Sequence, residues 1–105
     1  MAVTTRQWNV RVDSLSEVFP KQNEGVHSCL VDGESVLLNL VTGRYYTLNA
    51  AGSAIWNLCG GDRPLDRILS AVCERFDVSV RQAQDDLLDL VAQLEQEGLL
   101  QTERR

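Results

Sequence analysis

Hydrophobic positions along the chain change their spacing near its middle. His27–Asp32, Glu34–Val41 and Arg44–Leu48 are short runs rich in Val, Leu, Tyr and Thr. They alternate with the period of two that puts successive side chains on opposite faces of a strand. Val36, Leu38 and Leu40 share one face of the second run, and Leu37, Asn39 and Val41 the other. Tyr46 and Leu48 share a face of the third, with Tyr45 and Thr47 opposite them. Asp32 with Gly33, and Thr42 with Gly43, separate the runs as glycine-bearing hairpin turns do. The pattern predicts a three-stranded antiparallel meander with 44–48 as an edge-strand candidate.

Beyond Leu48 the spacing becomes helical. Asn49 is a good N-cap for a helix from Ala50 to Cys59, and Gly60 with Gly61 stops it. Pro64 suits a first helical position, and Leu65, Ile68, Leu69, Val72, Cys73 and Phe76 then recur on one face. Ser79 with Gln82 matches a capping box, opening the longest helix, which runs to about Glu97 before Gly98. Its predicted core stripe is Val80, Ala83, Leu87, Leu90, Val91 and Leu94, all within about 60° of Leu87 at 100° per residue. Three strands followed by three helices predict an α+β domain with its helices on one face of the sheet.

The first 26 residues are less committed. Trp8 to Val12 alternates, as a short strand or an arm packing its Trp would, and Ser14 to Gly25, with Pro20 among polar residues, reads as a loop. The division expected is an N-terminal arm at 1–26, a domain at 27–100 and a C-terminal tail at 101–105.

The closely spaced second and third helices form a helix-turn-helix pair, and with a β-hairpin they give a winged-helix outline. That outline suggests DNA binding, and charge argues against it. The 105-residue chain has 10 Lys and Arg against 15 Asp and Glu, for a net charge of −5. On the would-be recognition helix one cation, Arg81, faces Asp85, Asp86, Asp89, Glu95 and Glu97, a net of −4. Phosphate would repel such a helix. No nucleic-acid partner is therefore expected.

Catalytic and metal chemistry find little to stand on. The single histidine, His27, has no assigned partner, and no phosphate-binding glycine loop with its Lys-Ser/Thr is present. Cys29, Cys59 and Cys73 are widely spaced and form no CxxC, so they read as buried or half-buried apolar side chains. No apolar run approaches the ~20 residues of a membrane-spanning helix, and the N-terminus lacks a signal peptide's apolar stretch. The expectation is a cytoplasmic protein with no enzymatic activity, no cofactor, no metal and no membrane partner.

The run from Leu37 through Thr42, Gly43, Arg44, Tyr45, Tyr46 and Thr47 to Asn49, then Gly52, Ile55 and Trp56, resembles the PqqD-like family. So do Ile68 to Phe76 and the closing Asp86, Leu87, Leu88, Leu94, Gly98, Leu99 and Leu100. The likeness covers about residues 27–100; the arm at 1–26 has no counterpart, and the Thr-Gly-Arg-Tyr-Tyr hairpin departs from the quinone-pathway branch. The family includes the recognition elements of ribosomally made, modified peptides, lasso peptides among them. The resemblance implies a winged helix-turn-helix-like domain that captures the leader segment of a precursor peptide. It presents that leader to a modifying enzyme of radical SAM, protease or cyclase type. The leader would lie as an added strand against the third strand, beside the third helix.

An edge strand offers unpaired N–H and C=O groups to such a peptide, and the run at 44–48 has no proline to block pairing. The resulting peptide-binding candidates are Arg44, Tyr45, Tyr46, Thr47 and Leu48 on the strand, with Arg81, Gln84, Asp85, Leu88 and Ala92 on one flank of the helix. Leu88 could extend the core or floor the groove. Tyr45 and Tyr46 cannot both face the core, and alternation with Leu48 favours Tyr46. Trp56 reads as core. The competing function is a docking or dimerisation module of a larger biosynthetic complex, and a homodimer is compatible with the sequence.

Overall fold

The structure, a computed structural model, describes residues 12–105, so most of the alternating segment at Trp8 to Val12 lies outside the described residues. A 3₁₀ turn (Val12–Glu17) leads into β1 (Val18–Gln22). The meander follows as β2 (Val26–Val31), β3 (Glu34–Asn39) and β4 (Tyr45–Leu48). Three helices come next, α1 (Ala50–Asn57), α2 (Leu65–Arg75) and α3 (Val80–Gln96), and β5 (Leu100–Arg104) ends the chain.

The meander is antiparallel in the order β2-β3-β4, with Leu37 opposite both Ser28 and Tyr46. Asp32 (φ 52°) and Gly33 (φ 81°) form the two-residue turn between β2 and β3, as a type I′ hairpin requires. The second connection is longer than a tight turn. Its organiser is Asn39, whose Oδ1 accepts from Val41 N at 2.9 Å and Thr42 N at 3.3 Å.

Alternation decides which face of the sheet is covered. Ser35, Leu37 and Asn39 of β3 and Leu48 of β4 are buried beneath the helices, with Tyr46 half-buried beside them. Leu37, Trp56, Leu65, Ile68, Leu87, Val91, Leu99 and Leu100 are sealed from solvent in one cluster, where each such apolar side chain contributes roughly 1.5–3 kcal/mol. Ser35 and Ser53 share a buried hydroxyl hydrogen bond between β3 and α1. Gly52 lets α1 sit close to the sheet. A Cβ there would lie 3.3 Å from Leu48 Cβ and 3.6 Å from Leu90 Cδ2.

The helix ends follow local chemistry. Asn49 Oδ1 accepts from Gly52 N at 2.8 Å, and Ser79 Oγ from Gln82 N at 3.1 Å. The Gln82 side chain donates to Asp86 at 3.0 Å, so it does not return to the cap as a full capping box would. At the end of α3, Gly98 (φ 75°) donates to Glu95 O at 3.1 Å and Leu99 N to Leu94 O at 2.9 Å. This is a Schellman closure, with glycine at its left-handed position.

Three sequence expectations are corrected. The loop read at 14–25 and the tail at 101–105 pair instead as β1 and β5, with Pro20 opposite Thr102. The backbone bonds Asn23 N to Leu99 O and Arg105 N to Glu17 O fix the ladder's alternation, which turns position 20 away from β5. Proline therefore loses no ladder bond there, and its carbonyl accepts from Gly61 N at 3.0 Å. Val80, the first helical residue of α3, is 60% exposed, although Ala83 and Leu87 on the same face of the helix are buried. Cys29 is exposed, since it lies on the sheet face that no described helix covers. Cys73 is half-buried. Cys59 is buried, its thiol donates to Ile55 O at 3.2 Å, and burial pushes it up to about 12 against an opposing pull from Arg63.

Candidate functional site

The strand order leaves β4 at an edge of the meander. Asn39 N donates to Arg44 O at 2.9 Å, so Arg44, Tyr46 and Leu48 bond toward β3. By the same alternation the N–H and C=O groups of Tyr45 and Thr47 point to the open side. An extended peptide would meet donors and acceptors two residues apart there.

Beside this edge runs a groove of about 200 Å³, lined by Tyr46, Thr47 and Leu48 from β4. Leu90, Gln93, Leu94, Gln96 and Glu97 line it from the C-terminal part of α3. Leu48 and Leu94 are buried and Leu90 is half-buried, giving the groove an apolar floor with amide and carboxylate groups at its rim. One end is closed by a polar cluster. The Tyr46 hydroxyl donates to Glu97 Oε1, and Arg44 Nη1 lies 3.4 Å from the same oxygen. The hydrogen bond to Glu97 holds the Tyr46 phenol above its ordinary range, aided by desolvation and opposed by Arg44. Tyr46 is thus a neutral donor, oriented by a fixed carboxylate.

The predicted residues divide. Tyr46, Thr47 and Leu48 line the groove, and Arg44 reaches it through Glu97. Tyr45 is 71% exposed, on the opposite face of the sheet from Leu37 and Leu48. The helical residues do not join these: Arg81 and Asp85 are exposed, Gln84, Leu88 and Ala92 are half-buried, and none lines the groove.

With Leu87 at 0°, the groove wall runs through Leu90 at about −60°, Glu97 at about −80° and Gln93 at about −120°. The sequence-predicted flank spans about +60° to +160°. Glu95, at about +80°, accepts from Thr102 Oγ1 of β5 at 2.8 Å, so that flank meets the terminal strand. Leu90 and Leu94 were visible as apolar positions, while Gln93, Gln96 and Glu97 carried no local signal of their role.

Among the described residues no group of His, Cys, Asp or Glu could hold a metal ion, and no helix is long and apolar enough to cross a membrane. The arrangement offers backbone pairing, apolar pockets and one oriented hydroxyl, which are the elements of extended-peptide recognition.

Comparison with known proteins follows the same lines. The chain is similar to the solved structure described as TbiB1 in complex with the TbiA(beta) leader peptide, at 36% identity and a TM-score of 0.71. That likeness covers 77% of this chain and 94% of the other. A structure described as lasso peptide synthetase B1 complexed with the leader peptide shares the fold at 20% identity and a TM-score of 0.70, covering 78% and 96%. No curated protein matches the chain. The family model described as coenzyme PQQ synthesis protein D (PqqD) matches residues 34–100, which include the meander's last two strands, all three helices and the whole groove, and the chain belongs to the PqqD family.

Proposed function

We propose that this protein captures the leader segment of a ribosomally synthesised precursor peptide as an added strand along β4 and presents it to a modifying enzyme. The observation that carries the reading is the open β4 edge running directly beside the apolar groove. Tyr45 and Thr47 supply backbone pairing, which gives affinity with little dependence on sequence. Leu48, Leu90 and Leu94 receive apolar side chains of the leader, and Tyr46 with Glu97 and Arg44 sets its register at one end. The 36% identical TbiB1, solved with a leader peptide, supports the same role here.

On this reading the helical wall is Leu90, Gln93, Leu94 and Glu97 in place of the flank around Leu88. The role is that of a non-catalytic peptide chaperone in the cytoplasm, where precursor peptides are made. Titration with the leader of a precursor encoded nearby is expected to give micromolar or tighter binding. Failure to bind any such leader would overturn the proposal.

A further inference from the structure

Glu97 stands where α3 ends and the groove closes. It is the C-cap of a helix whose last turn holds no basic residue, so its carboxylate lies at the negative end of the helix dipole. That charge is answered on one side. Oε1 takes the Tyr46 hydroxyl and lies 3.4 Å from Arg44 Nη1, on a guanidinium side chain that is 65% exposed and screened by water. An ionised carboxylate accepts on both oxygens, and among the described residues Oε2 has no partner. The Glu97 side chain is 34% exposed and lines the groove, which therefore ends in an open acceptor of negative potential.

Register decides what meets that acceptor. Tyr46 shares the inner face of β4 with Leu48, and residues directly opposite one another on paired strands point the same way. In a strand added to β4, the residue opposite Tyr46 points toward Glu97. The residue opposite Leu48, two positions along, enters the apolar part of the groove at Leu90 and Leu94. Reach narrows the choice. Tyr46 needs its whole phenol to touch Glu97 from β4, so a side chain on the next strand out needs comparable length. Serine and threonine are too short, and an acidic side chain meets like charge.

We propose that Glu97 selects a lysine or arginine of the leader, placed two residues from the apolar side chain that fills the groove beside Leu90. The inference rests on the reading that β4 accepts a leader strand. The leader's ammonium or guanidinium donates to Glu97 Oε2 while Tyr46 and Arg44 hold Oε1, so one carboxylate joins domain and peptide. Backbone pairing tolerates any sequence, and this contact adds discrimination of register. A slip of the leader by two residues keeps every side chain on its face but sets the cation against Leu48 and Leu90.

The test uses the synthetic leader of the precursor encoded nearby, with copies in which each lysine or arginine in turn becomes methionine, long but uncharged. Against the full-length parent, one copy is expected to bind at least fivefold more weakly than the unaltered leader. Alanine at an apolar residue two positions from that cation is expected to cost at least fivefold as well. Glu97→Gln should weaken the unaltered leader by a similar factor and respond within twofold to the methionine change, as a coupled pair requires. If Glu97→Gln unfolds by circular dichroism, salt decides on the parent alone: the unaltered leader should lose more affinity with added salt than the methionine copy does. No methionine copy reaching fivefold, an equal salt response, or losses that multiply in the pair would overturn the inference and leave leader capture standing. An essential apolar residue at odd spacing alone would overturn it too, since the two side chains would face opposite ways. No leader binding by the parent would overturn it together with the function on which it rests.

Discussion

Asn39 at the end of β3 donates from Nδ2 to the backbone carbonyl of Glu97 at the end of α3, at 3.1 Å and across 58 residues of sequence. Its Oδ1 meanwhile accepts from Val41 and Thr42, so one buried side chain fixes both the turn into β4 and the end of the helix. Those are the two walls of the groove. Asn39→Ala leaves the carbonyl and two loop N–H groups without this partner, and a cost of about 2 kcal/mol is expected. Urea unfolding should show that loss, and leader affinity of the folded fraction should fall with it.

Thr47→Pro separates pairing from folding. The Thr47 N–H points to the open edge, so proline removes a donor to the peptide and none to β3. Circular dichroism should show a folded domain, while leader affinity falls at least tenfold. Full retention of affinity would exclude strand addition on this edge.

The two flanks of α3 are distinguished by a pair of leucines. Leu90 lines the groove and Leu88 does not, although both are half-buried against the core. Leu90→Ala is expected to weaken leader binding by about 1 kcal/mol or more, and Leu88→Ala to leave it nearly unchanged. Leu87, fully buried, is the stability control, and Leu87→Ala should cost about 2–5 kcal/mol in denaturant unfolding.

Alkaline pH should expose the burial of Cys59. Its folded-state thiol is pushed up to about 12 from an ordinary 9.0, so the unfolded chain loses this proton first as pH rises. The stabilisation is complete below about pH 9 and is lost progressively toward pH 12, with a slope of up to about 1.4 kcal/mol per pH unit. Urea midpoints measured from pH 8 to 10.5 should therefore fall more steeply for the parent than for Cys59→Ala. In the native state a thiol reagent should modify exposed Cys29 well before Cys59.

Much of this molecule was legible because its signals are local. The alternation from His27 to Leu48, the caps at Asn49 and Ser79, and Gly98 after the last helix each act over a few residues. Each gave its element within a residue or two. The spacing of Leu65, Ile68, Leu69 and Val72 likewise specified a buried face without reference to what covers it. Even the edge position of β4 followed from the order of the runs.

What sequence reasoning could not reach depends on partners far along the chain. Pro20 and its polar neighbours carry loop chemistry, yet pairing with residues near Thr102 makes them a strand, with proline on the side that needs no donor. Periodicity identified the axis of the α3 stripe but not which flank of that axis meets β4. Leu90, at about −60° from Leu87, reads simply as the edge of the core stripe, and Leu88, at about +100°, as the groove candidate, because nothing local tells which flank faces a strand. The asymmetry arises only when β5 takes the Glu95 side through Thr102, leaving Leu90, Gln93 and Glu97 facing the open strand. The sequence by itself determined the elements and their buried faces, because short-range sterics and hydrogen bonding act within each element. The tertiary structure alone decided the site, because a groove belongs to two elements and its walls are chosen by how they are set against each other.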